Sequence, residues 1–402
     1  MNDWLRDIFQ GRPWWMNVLL VFSGYMAFVY VPWDLFVKPV EADVEVWFGI
    51  SFTGWAAKLM ALPHWFVYGA AVYGFRRRRP WMRFWGAAYC AQVSFAMFVW
   101  SVAAIGGFLG FIGGLVSAVP FGLLAFGFWN ARDQFEAAAT SLRERYGEWA
   151  LVTGASSGIG AEFARALAAE GLSLVLTARR EERLRELAAE LEKKSNISTR
   201  TLVLDLADAE GPERLVEAVQ DLEIGLLVAN AGVGYAGRVD KQETERLEQL
   251  LALNCHAPMV LASRLVPRMV ERQRGAVIIT GSAAGHQPIP YHAAYAASKA
   301  FALFFGEALS VEVRDQGVDV LVLEPGSVAS DFQAAASEID HGGAPPAAQV
   351  REALESLGVA TSVIPGWWVW LRANLAQRLG TRRLTAYLAR GFMQPRTPPE
   401  MR

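Results

Sequence analysis

Cysteine is nearly absent from this chain: Cys90 and Cys255 are the only two in 402 residues. That excludes a disulfide scaffold and any four-thiolate metal site. Cys255 has His256 beside it but no ligand-spaced partner, so both thiols read as buried side chains and no metal is expected. Charge is scarce as well. Asp, Glu, Lys and Arg make up 19% of the residues, against about 25% in soluble domains. The formal net charge of -2 leaves no basic surplus to neutralise phosphates, which excludes a nucleic-acid binder as a class. An apolar fraction of 53% excludes a disordered chain.

The largest absence is local. From Phe84 to Trp129 there is no charged residue at all, a run broken by Gly106, Gly107 and Gly110. A bilayer core needs about 20 helical residues, so the run reads as two crossings, residues 84–105 and 108–129, joined by a glycine turn. Neither carries the polar stripe of a water-soluble hairpin. Residues 14–37 form a further candidate, with Trp14, Trp15 and Trp33 where interfacial aromatics sit. This stretch is too long for a cleavable signal and lacks a basic leader. A fourth span, residues 46–75, contains Lys58, Pro63 and His64. The reading is an interfacial helix over 44–57 and a crossing from about Leu59, with Lys58 snorkelling at the boundary; an intramembrane Lys58–His64 pair is the functional alternative.

Arg76, Arg77, Arg78, Arg79 and Arg83 should stay cytoplasmic, so four crossings leave everything after Asn130 on that side. Only six of the 38 basic side chains are lysines, a bias that points to a GC-rich bacterial source and hence to an inner-membrane, multi-pass protein. The expected organisation is an all-α transmembrane helical domain over 1–130, a connector over 131–147, a nucleotide-binding domain over 148–362 and a basic tail over 363–402.

Character changes at Trp149. Short apolar strands alternate with amphipathic helices, which implies an α/β fold with a doubly wound parallel sheet. The first strand runs into Thr153-Gly154-Ala155-Ser156-Ser157-Gly158-Ile159-Gly160, where glycines let the backbone approach a pyrophosphate and a helix start offers free amides. The spacing is G-x-x-x-G-x-G rather than G-x-G-x-x-G. With Asp205, Asn230-Ala231-Gly232, Asn254, Ser282, Tyr295-Ala296-Ala297-Ser298-Lys299 and Pro325-Gly326 in that order, the chain from Glu148 to Pro365 resembles the short-chain dehydrogenase/reductase family.

Tyr295 and Lys299 share one helix face. A phenol titrates near 10 and is a poor acid–base group at neutral pH, so a nearby ammonium is expected to bring it down. Ser282 ends a strand that can aim its hydroxyl at a carbonyl oxygen. The resemblance implies a Rossmann-type fold and a catalytic set of Asn254, Ser282, Tyr295 and Lys299, with Asn254 completing a proton relay. It also implies dinucleotide contacts from Gly154, Ser156, Ser157, Gly158, Ile159 and Gly160, from Asp205 and Leu206, from Asn230, Ala231 and Gly232, and from Pro325, Gly326 and Val328, besides Tyr295 and Lys299. Arg179 and Arg180 stand where an acidic residue would accept from the ribose of NAD; a guanidinium suits a 2'-phosphate, so NADP(H) is the expected cofactor. Tyr291 and His292 precede the motif and lack its lysine spacing; each is read as either lining the cleft or exposed.

Past Ser330, the stretch Asp331 to Ala348 is the variable substrate loop of the family and names no substrate. The tail carries seven Arg against one Glu, with Trp367, Trp368, Trp370, Leu371, Leu375 and Leu379 mostly at helical spacing. It reads as an interfacial helix on anionic membrane lipids, or as a helix packed on the enzyme or a second copy. The functional expectation is reduction of a lipophilic ketone, such as a long-chain 3-oxoacyl derivative, a fatty ketone or a steroid-like ketone. Its alternative is a membrane protein using the domain as a nucleotide sensor without turnover.

Overall fold

A computed structural model describes residues 14–48, 50–76, 81–131, 141–330, 332–336, 338–339, 342–379 and 381–402. Arg77, Arg78 and Arg79 of the basic cluster, most of the connector and parts of the substrate loop, Asp331 included, lie outside them. The chain forms two compact units, Met1–Ala139 and Thr140–Arg402.

In the first unit, helix α1 spans Trp14–Phe36 and contains a π-helical turn at Met26–Tyr30. Strands β1 (Val44–Trp47) and β2 (Ile50–Thr53) follow, then helices α2 (Trp55–Arg76), α3 (Trp81–Ile105) and α4 (Gly107–Asn130). Small residues let α3 and α4 pack closely: a Cβ on Gly110 would lie 3.0 Å from the Ser101 carbonyl, and Ser94 Oγ donates to the Ala118 carbonyl at 2.8 Å. Large apolar side chains such as Phe108, Leu109, Val116 and Phe126 point outward instead. Such a surface suits lipid rather than water.

The interfacial helix expected over 44–57 is not there. Its place is taken by an antiparallel hairpin, with Val44 opposite Thr53 and Trp47 opposite Ile50. Val44, Val46, Ile50 and Thr53 are β-branched, and such residues favour strands over helices. Lys58 does not snorkel at a boundary either. It is buried, 3.1 Å from Asp43 Oδ2, while Lys38 reaches Asp34 at 2.8 Å and Asp43 at 2.5 Å. His64 has a separate partner, Glu45 at 3.3 Å, and stacks on Trp47. Lys58 and His64 thus have separate partners.

The second unit is built on a seven-stranded parallel sheet. Its strands are β3 (Trp149–Thr153), β4 (Ser173–Ala178), β5 (Thr199–Val203), β6 (Ile224–Ala229), β7 (Gly275–Thr280), β8 (Val318–Leu323) and β9 (Ser362–Val363). They lie in the order β5-β4-β3-β6-β7-β8-β9. The order reverses between β3 and β6, which opens a crevice at the carboxyl ends of those strands. Helices cover both faces. On one are α5 (Gly158–Ala169), α6 (Glu181–Ser195) and α10 (Pro346–Ser356), burying Phe163, Leu184 and Val350 against Ala150 and Val152. On the other are α7 (Gly211–Glu217), α8 (Thr244–Glu271) and α9 (Ala293–Val313), burying Leu215, Leu261 and Ala302 against Leu151. Alternate residues of β3 thus serve opposite cores, the mark of a sheet buried on both sides.

Among the described residues, four helices, α1, α3, α4 and α8, are long and apolar enough to cross a membrane by length and composition. In α8, Leu253, Leu261, Leu265 and Met269 belong to the core on the sheet, which accounts for its apolar face. After β9 come α11 (Trp367–Leu379) and α12 (Arg382–Met393). The tail packs on its own domain: Arg238 N–H donates to the Met401 carbonyl at 2.9 Å, and Lys241 Nζ to that of Glu400 at 2.8 Å.

Candidate active site

A cleft of about 680 Å³ lies at the carboxyl ends of the strands. Its floor begins at the turn after β3. Gly154 adopts φ +66°, a left-handed conformation that glycine reaches without strain. A Cβ on Gly160 would fall 2.3 Å from the Gly154 carbonyl, so the turn and α5 meet only because that side chain is missing. Thr153, which opens the glycine motif, ties this turn to the next strand: its Oγ1 accepts from the backbone N–H of Asn230 at 2.9 Å and of Ala231 at 3.0 Å.

Gly154, Ser156, Ser157, Gly158 and Ile159 line the cleft at this turn. Arg179, Arg180, Asp205 and Leu206 line it beyond β4 and β5, and Asn230, Ala231 and Gly232 beyond β6. Arg180 lies across the turn, donating to Ser156 Oγ at 3.0 Å and Ser157 Oγ at 2.5 Å; Arg179 pairs with Asp205 at 3.4 Å. Pro325, Gly326 and Val328 form the wall beyond β8. The glycine cradle, the amides at the start of α5 and two arginines at the end of β4 fit a phosphorylated dinucleotide.

Ser282, Tyr295 and Lys299 converge in the same cleft. Lys299 Nζ sits 5.7 Å from the Tyr295 ring centre and donates to the Thr280 carbonyl at 2.8 Å. Burial pushes the phenol up to about 12, with the Ser282 hydrogen bond pulling it down and the Glu338 charge pushing it up. Burial likewise pushes the Lys299 ammonium down to about 8. In this structure burial of the charged form is the largest influence on the phenol, and Ser282 is the group that lowers it.

Two named residues do not line the cleft: Gly160, and Asn254 beneath it. Asn254 Oδ1 accepts from the Val233 N–H at 2.9 Å, while Nδ2 donates to the Val233 carbonyl at 2.9 Å and to Ser298 Oγ at 3.0 Å. It sits in a π-helical turn of α8, Ala252–His256, a distortion common at functional sites. A Cβ on Gly232 would lie 3.1 Å from Asn254 Oδ1 and 3.4 Å from Lys299 Nζ, so both polar groups approach one point below that glycine.

The substrate side holds residues the motifs did not announce. His292 lines the cleft and Tyr291 does not. His292 Nε2 lies 3.4 Å from Glu338, and its ring 5.8 Å from that of Tyr295. Phe332 packs 5.7 Å from the Tyr295 ring. The roof is the tail: Thr385, Leu388 and Phe392 of α12 and Arg372 of α11 all face the cleft. The tail packs on its own domain through α12, while Trp367, Trp368 and Trp370 of α11 are exposed.

Residues 148–340 match the short chain dehydrogenase family. A Pyricularia oryzae protein named very-long-chain 3-oxoacyl-CoA reductase is 34% identical over 254 residues, 58% of this chain and 76% of that one. The chain belongs to the short-chain dehydrogenase family. A Neurospora crassa protein of the same name is 38% identical over 195 residues, 47% of this chain; the match spans 59% of the relative. Among solved structures, a short-chain dehydrogenase from Sphingobium yanoikuyae in complex with NADPH aligns with TM-score 0.54 and 31% identity, covering 59% of this chain and 95% of that one. These short-chain dehydrogenases are oxidoreductases, and this chain carries the family's sheet, glycine turn and tyrosine–lysine helix.

Proposed function

We propose that this short-chain dehydrogenase is a membrane-anchored, NADP(H)-dependent reductase of lipophilic ketones, with the 3-oxoacyl class first among them. The observation that carries the reading is the meeting of Ser282, Tyr295 and Lys299 in a cleft that begins at a glycine turn crossed by Arg180. A nicotinamide held in this cleft would supply hydride to the carbonyl carbon. Tyr295, held protonated by burial, donates its phenolic proton to the carbonyl oxygen, which suits the reductive direction. Ser282 orients that oxygen through its hydroxyl. Lys299, anchored on Thr280, favours the phenolate left behind, and Asn254 stiffens the backbone at Val233 beneath the pair. Arg179 and Arg180 discriminate for the 2'-phosphate.

Three observations support a membrane-bound substrate supply. Helices α1, α3 and α4 are long and apolar enough to cross a bilayer, the relatives quoted above are named for very-long-chain substrates, and exposed tryptophans lie beside arginines on the tail. The test is reduction of long-chain 3-oxoacyl thioesters and fatty ketones by detergent-solubilised protein, followed through NADPH absorbance. Wild type turns over and Tyr295→Phe loses at least a thousandfold while still binding NADPH; comparable turnover by the variant overturns the reading.

A further inference from the structure

Beside the cleft, but not lining it, lies an ion pair that the reaction above does not use. His286 Nε2 meets Glu324 Oε2 at 2.5 Å, and Glu324 is 1% exposed. The two side chains come from different strand ends. His286 closes the single helical turn Ala283–His286 that follows Ser282, and Glu324 stands between β8 and the Pro325–Gly326 wall.

Backbone bonds join the near ends of these segments: Gly281 N–H donates to the Leu323 carbonyl at 2.7 Å, and Ala283 N–H to that of Pro325 at 3.1 Å. The serine side chain itself is held more loosely. Its Oγ accepts from the Ala284 N–H at 3.1 Å and donates to the Pro325 carbonyl at 3.4 Å, a long contact. Ser282 therefore takes its place from the turn that carries it. That turn rests on the catalytic helix, since a Cβ on Gly285 would lie 2.7 Å from the Lys299 carbonyl oxygen. His286 then ties its far end to β8.

Stability alone gives little reason for such a pair. Burying two charges costs about as much as their attraction returns, and apolar side chains of similar volume often do as well or better. What a short, charge-assisted bond adds is a fixed geometry. The charged groups acting on the imidazole are Glu324 and Glu307 of α9, which accepts from Ser362 Oγ at 2.8 Å. The bond to Glu324 raises the His286 imidazole above its ordinary value, and burial raises the Glu324 carboxyl. Both shifts favour keeping the proton that the pair shares.

We propose that His286 and Glu324 are positioning residues for the reduction: their bond clamps the serine turn to the Pro325–Gly326 wall and so sets where Ser282 Oγ stands relative to the carbonyl oxygen. The inference rests on the reductase reading and extends it to two residues outside the cleft.

The test uses the full chain in detergent. His286→Ala strands a buried carboxylate and challenges the fold, so the informative variant is His286→Leu/Glu324→Met, which removes both charges at similar volume. It keeps the denaturation midpoint and NADPH affinity of wild type, yet lowers kcat for a long-chain 3-oxoacyl thioester by about ten- to a hundredfold with KM within about twofold, the scale of a small misplacement. Glu324→Gln, which retains a hydrogen bond to the imidazole, keeps most of the rate. In a Ser282→Ala background the double change costs less than about threefold, because the hydroxyl it positions is gone. Hydrogen exchange at the amides of 283–286 quickens in the variant, a readout that needs no turnover.

A double variant with wild-type kcat makes the pair structural and overturns the proposal. So does a full loss in the Ser282→Ala background, which places the effect elsewhere, or a weakened NADPH affinity, which assigns the pair to the cofactor. Quickened exchange in a protein whose wild type reduces no carbonyl retires the reductase reading and keeps the clamp; unchanged exchange with normal turnover retires the clamp alone.

Discussion

Lys299 is the residue at which folding and function conflict. Its side chain is 5% exposed, and burial holds its ammonium near 8 instead of 10.5. A folded pKa below the unfolded one means that folding disfavours the protonated form. The penalty is therefore complete below about pH 8 and disappears as pH rises past the unfolded value. At about 1.4 kcal/mol per pKa unit, the shift costs about 3 kcal/mol at pH 7. Lys299→Met removes that penalty but leaves the Thr280 carbonyl without its donor, a loss of about 1 kcal/mol. The variant is expected to unfold about 2 kcal/mol harder at pH 7 in cofactor-free protein, a gain that shrinks between pH 8 and 10.5, while turnover is lost. Denaturation measured across that range checks it, and a variant less stable than wild type at pH 7 refutes the argument. In the wild type, kcat/KM for NADPH should fall above about pH 8 as the ammonium discharges.

Cofactor choice belongs to the same scale. Arg180 touches Ser156 and Ser157, whereas Arg179 is paired with Asp205 and is the less available of the two. Arg180→Ala should lower the preference for NADPH over NADH by about tenfold or more, the worth of one charge-assisted contact. An unaltered NADPH/NADH ratio of kcat/KM removes Arg180 from that role. Contacts like these were legible in the sequence because each motif is local: a glycine turn, an i,i+4 pair, a strand-end serine. Glu338, from the substrate loop, and Phe392 and Arg396, from the tail, were not, because no short-range pattern announces a contact with Tyr295 or with the roof.

At the scale of elements, the hairpin β1–β2 shows what apolar composition hides. Its ten residues sit within a hydrophobic stretch, and the two-residue alternation of valines in β1 is easily read as part of a helix. What holds the hairpin region to α2 is ionic: Asp43, at the entry to β1, is fully buried between Lys38 and Lys58. Removing that carboxylate leaves part-buried Lys38 with Asp34 as its carboxylate and buried Lys58 with only the Asp34 and Lys38 backbone carbonyls. Breaking a buried ion pair in this way costs about 3–5 kcal/mol. Asp43→Asn should therefore lower the melting temperature of the first unit, while the double change Asp43→Asn/Lys58→Met recovers part of it. A single variant as stable as wild type would mean that the cluster is solvated.

Across the whole molecule, apolar helices and a short-chain dehydrogenase cleft occur in one chain, and the cleft's roof comes from a tail rich in aromatics and arginine. If the membrane is where substrate is found, the acyl chain should be read by burial along Phe332, Leu388 and Met393. Each methylene removed from water is worth about 0.8 kcal/mol, which is about a fourfold change at room temperature. For a homologous series of 3-oxoacyl thioesters below their micelle-forming concentrations, kcat/KM should thus climb several-fold per added methylene until the wall is filled, then level off. Substituting Leu388→Asn should flatten the slope without changing the value for the shortest member, since a short chain does not reach α12. A flat series in wild type would detach the apolar wall from substrate recognition.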